Sequence, residues 1–133
     1  PVGSVLVGER TTIEKARRLR KMLGGGMRQA GILAAAGIYA LENNIERLQL
    51  DHENAVNLAN NLCSLPGFKL LEEPQTNMVL LDLPQERFLA LSAWLAENDV
   101  TVSGQRWVLH QDVSGDDVQR IIDLCTLFSS RTA

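Results

Sequence analysis

The sequence predicts a mixed α/β chain, with a helical N-terminal part followed by a small α+β part. Three observations predict it. Apolar residues recur at three- and four-residue intervals from residue 10 to about residue 64, the period of an α-helix. The turn sequence "LPGF" at 65–68 then breaks the pattern. Beyond it, short apolar runs alternate with amphipathic stretches in the order β-β-α-β-β-α, as in a small sandwich with its helices on one face.

Taken in order, "SVLVG" at 4–8 predicts a short valine-rich strand. "TTIE" predicts a helix start, with Thr11 as N-cap and Glu14 completing a capping box. That helix runs to about Leu23, where Gly24, Gly25 and Gly26 stop it. Ile13, Ala16, Leu19 and Leu23 give it a narrow apolar stripe. A second helix is expected over 27–43, beginning at 26–28. Apolar or small residues lie all around it, so it should be buried. A third helix is expected over 45–64. Its spacing turns Ile45, Leu48, His52, Ala55, Ala59 and Leu62 inward, with Asp51 and Glu53 outward.

After the turn, "FKLLEE" and "NMVLLDL" are strand candidates joined by "PQT". "QERFLALSAWLAEND" is an amphipathic helix. "VTVS" and "RWVLHQ" are two more short strands separated at Gly104. Ser114 with Asp117 opens the last helix, with Val118, Ile121, Ile122, Cys125 and Phe128 as its inner face. The turn at 65–68 divides the chain into residues 1–64 and residues 65–133.

The bulk properties narrow the function classes. A chain of 133 residues, 45% hydrophobic and 22% charged, is an ordinary globular composition that can bury a sizeable core. The net charge of −3 gives no general attraction to nucleic acid or anionic membrane. The longest apolar run, "AGILAAAGIYAL", has 12 residues, too few to cross a bilayer. Cys63 and Cys125 form no disulfide framework and the sequence shows no secretory pattern, so a cytoplasmic location is expected. The chain opens at Pro1 on an apolar run without methionine, and a preceding segment is expected.

Three features carry candidate chemistry. The first is "RKMLGGGMRQAG" at 20–31. Residues 10–28 hold seven of the 13 cations: Arg10, Lys15, Arg17, Arg18, Arg20, Lys21 and Arg28. Glycines admit close approach to backbone N–H groups, and a helix N-terminus favours anions. The spacing matches neither a P-loop nor a dinucleotide fingerprint. The residues alone leave an anion site and a plain helix–helix joint both open. Nucleic-acid binding fits the same helix poorly, because the first 38 residues contain no Phe, Tyr or Trp to stack on bases. The second feature is Arg106, which shares a strand face with Val108 and His110. Arg forms a bidentate fork with carboxylates, but spacing alone favours an edge arginine in solvent. The third is negative. His52 and His110 have no nearby second ligand and the cysteines show no C-x-x-C, so no metal site is expected. No nucleophile elbow occurs either.

At these residues the chain is similar to the low-specificity L-threonine aldolases, pyridoxal-phosphate lyases of the aspartate-aminotransferase-like fold (fold type I). The resemblance is collinear over almost the whole chain. It rests on "PVGSVLVG", "ARRLRKMLGGGMRQAGILAAAGIYAL", "LDHENA", "TNMVLLDL" and "RWVLHQDVSGDDV". It implies that the chain is the end of a large cofactor-binding domain plus a small C-terminal domain. The implied reaction is cleavage of L-threonine or L-allo-threonine, a β-hydroxy amino acid, to glycine and acetaldehyde. The implied cofactor is pyridoxal 5'-phosphate. The implied state is a homo-oligomer, a tetramer, with no nucleic-acid or membrane partner.

The resemblance also implies individual roles. Arg106 holds the substrate carboxylate. Lys21 lines the active-site cleft and organises polar groups and water. Arg28 reaches the cofactor phosphate, with Gly24, Gly25 and Gly26 shaping the loop that places both. His110 has a structural role beside Arg106. The stretch "WVLHQ", where many members have "LVTH", departs at two positions and loses a hydroxyl. The family's cofactor-attaching lysine is expected just before Pro1, so this chain is expected to be inactive alone. The competing expectation is a non-catalytic module that pairs with a separate N-terminal portion.

Overall fold

The computed structural model describes residues 4–131. The chain forms two compact units, 1–45 and 46–133. In the first, α1 spans Arg10–Met22 and α2 spans Gly31–Asn43. In the second, α3 (Leu48–Cys63), β1 (Met78–Leu80), α4 (Gln85–Ala96), β2 (Arg106–Val108) and α5 (Gly115–Arg131) follow in order. The boundary expected at 65–68 therefore falls inside the second unit, because α3 packs on α5 and β1. The turn itself is present, with Gly67 at φ 76°.

The N-terminal unit departs from the sequence expectations in four ways. Residues 4–8 form no strand; Val5, Leu6 and Val7 stay exposed and pair with nothing among the described residues. Pro1 to Gly3 of that expected run lie outside the described residues. The Thr11–Glu14 capping box is not made. Helix α1 starts two residues earlier, with Glu9 rather than Thr11 extended at the N-cap, so Thr11 lies inside the helix. The Glu9 carbonyl accepts N–H bonds from Thr12 and Ile13 at 3.0 Å. Residues 27–30 do not open the second helix, which begins at Gly31 without a side-chain cap. Finally, α2 buries nothing among the described residues: Ile32, Ile38, Tyr39 and Leu41 are all more than half exposed.

The C-terminal unit holds the core. Leu58, Leu62, Val79, Leu91, Leu95, Val118 and Cys125 are fully buried. The spacing of Phe88, Leu91 and Leu95 gives α4 a single inner face, and Val118, Ile122, Cys125 and Phe128 do the same for α5. The expected Ser114–Asp117 box is formed. The Ser114 N–H and hydroxyl donate to Asp117 Oδ2 at 2.9 and 2.6 Å, and the Asp117 N–H donates back to Ser114 Oγ at 3.1 Å. Burial pushes the Cys125 thiol up to about 12, so it packs as a small apolar group.

Helix α3 is rotated from the expected phase. Asp51 is buried and His52 exposed, and Leu58 joins Ala55, Ala59 and Leu62 inside. Arg47 partners the buried carboxylate: its guanidinium donates to Asp51 Oδ1 at 3.1 Å and to the Gln111 carbonyl at 2.8 Å. A paired carboxylate can be buried where a lone one cannot.

The sheet is smaller than expected. β1 and β2 pair antiparallel, with Met78 opposite Val108, Val79 opposite Trp107 and Leu80 opposite Arg106. "FKLLEE" contributes only a bridge between Leu70 and Leu81. "VTVS" forms no strand. The ladder ends beyond Gln105 because its side chain, not another strand residue, takes both main-chain groups of Leu83.

Candidate active site

The glycine run has a defined geometry. Gly24, at φ 79°, occupies the left-handed position just after α1. Its N–H donates to the Lys21 carbonyl at 3.2 Å, and the Gly25 N–H donates to the Arg20 carbonyl at 2.8 Å. These two bonds make a complete Schellman motif, which requires a residue tolerant of positive φ at its centre. Gly25 and Gly26 lie under the preceding cations. A Cβ at Gly25 would sit 3.0 Å from Arg20 Cγ, and one at Gly26 would sit 3.1 Å from Lys21 Cδ and 3.3 Å from Nζ. Lys21 thus folds back across Gly26. Lys21 and Arg28 are exposed, and neither pairs with a carboxylate among the described residues. Two unpaired cations beside a run without side chains can accept an anionic group.

Arg106 belongs to the C-terminal unit. Trp107 and Leu109 turn into the core while Arg106, Val108 and His110 are exposed, so the expected face alternation holds through residue 110. Arg106 borders a cleft of about 320 Å³. Leu58, Val102, Val113 and Ile121 give the cleft apolar walls, and Thr101, Ser103 and His110 add polar groups. Among the described residues Arg106 has no acidic partner, which leaves its fork free for a carboxylate.

His110 closes a turn. Its Nδ1 accepts the Asp112 N–H at 3.3 Å, and its carbonyl accepts the Val113 N–H at 2.8 Å.

Three supports escaped the sequence reading. Asn77 clasps Leu109, donating from Nδ2 to its carbonyl at 2.6 Å and accepting its N–H on the main-chain oxygen at 2.8 Å. Gln105 holds Leu83 in the same two-bonded way. Arg47 ties α3 to Gln111. For Asn77 and Gln105 the available signal was an amide side chain beside a strand end, which is too common to single out; for Arg47 there was none, because its partner Gln111 is 64 positions away.

Elsewhere, a shallow hollow on the outer side of α3, by His52 and Glu53, is open and almost wholly apolar. Among the described residues no group of three or more His, Cys, Asp or Glu could hold a metal ion. No described helix is long and apolar enough to cross a membrane.

The family model described as beta-eliminating lyase matches residues 1–86. The low specificity L-threonine aldolase of Escherichia coli (strain K12) is 44% identical over 124 residues, covering 91% of this chain and 37% of that protein. The low-specificity L-threonine aldolase 1 of Arabidopsis thaliana is 40% identical over 127 residues, covering 89% and 36%. The aldolase vrtJ of Penicillium aethiopicum is 37% identical over 131 residues, covering 93% and 33%. The chain thus spans little more than a third of the length of these curated relatives. Because the family model covers well over half of its residues, the chain belongs to the beta-eliminating lyase family.

Proposed function

We propose that this chain is the C-terminal part of a pyridoxal-phosphate-dependent threonine aldolase of fold type I. It would cleave L-threonine or L-allo-threonine to glycine and acetaldehyde. The observation that carries the reading is Arg106, an exposed guanidinium on a pinned strand at the rim of a cleft. The names of the relatives support the same reaction class. On this reading the residues that attach the cofactor belong to the part of the relatives' length that this chain does not span. The first unit, 1–45, would then belong to the end of the large domain, and the unit 46–133 would hold the small one.

The residues present fit the cofactor's charge. Arg28 would bind its phosphate, and Gly25 and Gly26, which lie under the side chains of Arg20 and Lys21, would shape the loop that places it. Bound pyridoxal phosphate supplies an electron sink for breaking the bond between Cα and Cβ. Arg106 grips the substrate carboxylate through paired N–H donors and fixes how the amino acid lies in the site. On the same reading Lys21 supplies a positive charge that orders water and polar substrate groups. The apolar walls of the cleft exclude water from the substrate. The reading includes a homotetramer, supported by the exposed Ile32, Ile38, Tyr39 and Leu41 of α2. It also includes a cytoplasmic location, supported by the two free thiols.

The test is Arg106→Ala in the complete enzyme. KM for L-threonine should rise roughly 10–100-fold, the loss of a charge-assisted pair, while the cofactor's absorption band persists. Unchanged steady-state kinetics would overturn the assignment.

A further inference from the structure

Arg106 itself has no side-chain partner among the described residues, so its direction depends on its backbone. That backbone is held from both sides. Arg106 pairs with Leu80, and the next residue, Trp107, is buried and donates its indole N–H to the Gly104 carbonyl at 3.0 Å. On the other side stands Gln105. Its carbonyl accepts the Leu81 N–H at 2.9 Å, which continues the ladder by one rung. Its side chain then does what the following residues would do in a longer strand. Oε1 accepts the Leu83 N–H at 2.8 Å, and Nε2 donates to the Leu83 carbonyl at 3.0 Å. Gln105 is half-buried, so these bonds are made away from bulk water. A single side chain thus anchors the residue before Arg106 to the segment leading into α4.

We infer that Gln105 is the positioning residue for Arg106, fixing the strand end from which the guanidinium meets the substrate carboxylate. The inference rests on the carboxylate reading of Arg106. Without the clamp, Leu83 keeps two half-buried main-chain groups unpaired, and the turn at 103–105 loses its tie to the sheet. Arg106 stays present but its fork is no longer held in one direction. A bidentate contact suffers more from such loss than a simple charge contact does.

The test compares L-threonine with L-threoninamide, which lacks the carboxylate, in the complete cofactor-loaded enzyme. Gln105→Met removes both bonds at nearly constant volume. Gln105→Glu keeps the acceptor for the Leu83 N–H and loses the donor. The ratio of kcat/KM for the acid over the amide should fall about tenfold in Gln105→Met and by less in Gln105→Glu. In parallel, the Leu83 amide should exchange its hydrogen faster in Gln105→Met. A merely structural role would lower both substrates together, so an unchanged ratio overturns the inference. Arg106→Ala is the control. If it leaves the ratio unchanged, the carboxylate reading fails. If it collapses the ratio and Gln105→Met does not, the positioning role alone fails. Should Gln105→Met not fold, the same comparison in Gln105→Glu decides the matter.

Discussion

Gly24 and Gly26 stand two positions apart, yet a methyl group should affect them differently. At Gly24 nothing lies within 4 Å of an added Cβ, but φ is 79°. The cost there is backbone strain, on the order of 1 kcal/mol for an L-residue in the left-handed region. At Gly26 the backbone imposes no such strain, and the added atom meets only the flexible end of Lys21. Gly24→Ala should therefore loosen the end of α1, with faster hydrogen exchange of the amides at 24 and 25. Gly26→Ala should leave those amides protected and instead displace Lys21. Nuclear magnetic resonance on the two variants separates the outcomes. Equal exchange at the Gly25 amide in both would contradict the Schellman assignment. Three adjacent glycines were legible in the sequence as a stop signal and as a place for close approach. Which glycine served which purpose was not, because that depends on where α1 ends to within one residue.

At the scale of elements, the two capping boxes read from sequence had different fates. Ser114 with Asp117 is a closed box, and Thr11 with Glu14 is not. The difference is phase: a box works only if its first residue is the N-cap, and α1 begins before Thr11. The box on α5 should also leave a signature in pH. Hydrogen bonds from the Ser114 hydroxyl and N–H hold the Asp117 carboxyl below its ordinary value of 3.8. A depressed folded-state pKa means stability that is present above the unfolded value and lost as pH falls through the folded one. Asp117→Asn should therefore lower the melting temperature at neutral pH, and the gap from the unaltered chain should close as the solution is acidified below that range. A gap that widens on acidification would rule out this role. Ser114→Ala removes the reciprocal bond and should cost about 1 kcal/mol in chemical denaturation. Helix α3 teaches the complementary lesson. Its period was legible, but the burial of Asp51 was not, because its partner Arg47 is held by the carbonyl of Gln111, 64 positions away from it. Local hydrophobicity placed His52 inside; the paired Asp51 lies there instead.

At the scale of the whole chain, the same limit separates what was read from what was not. The amphipathic helices α4 and α5 need only the core their own unit provides, and both formed as read. The runs at 4–8 and 100–103 have β-forming residues, but a strand exists only where another strand has free groups to offer. The first finds no partner among the described residues, and the second is displaced by the Gln105 side chain. Arg106 is similar: its face was legible from alternation, whereas its cleft is assembled from α3, the 100–103 segment and α5. The distribution of burial then makes a prediction about stability. Among the described residues every fully buried large side chain lies in the C-terminal unit, and neither α1 nor α2 buries a residue. Leu91→Ala, at a site with no exposed surface, should destabilise this chain by about 2–5 kcal/mol, the range for a buried leucine. Ile38→Ala, at a site 56% exposed, should change it by no more than about 0.5 kcal/mol. Urea denaturation of the two variants measures both. If Ile38→Ala proved as costly as Leu91→Ala, cooperative stability would have to extend into α2, and the placing of the core in residues 46–133 would be wrong.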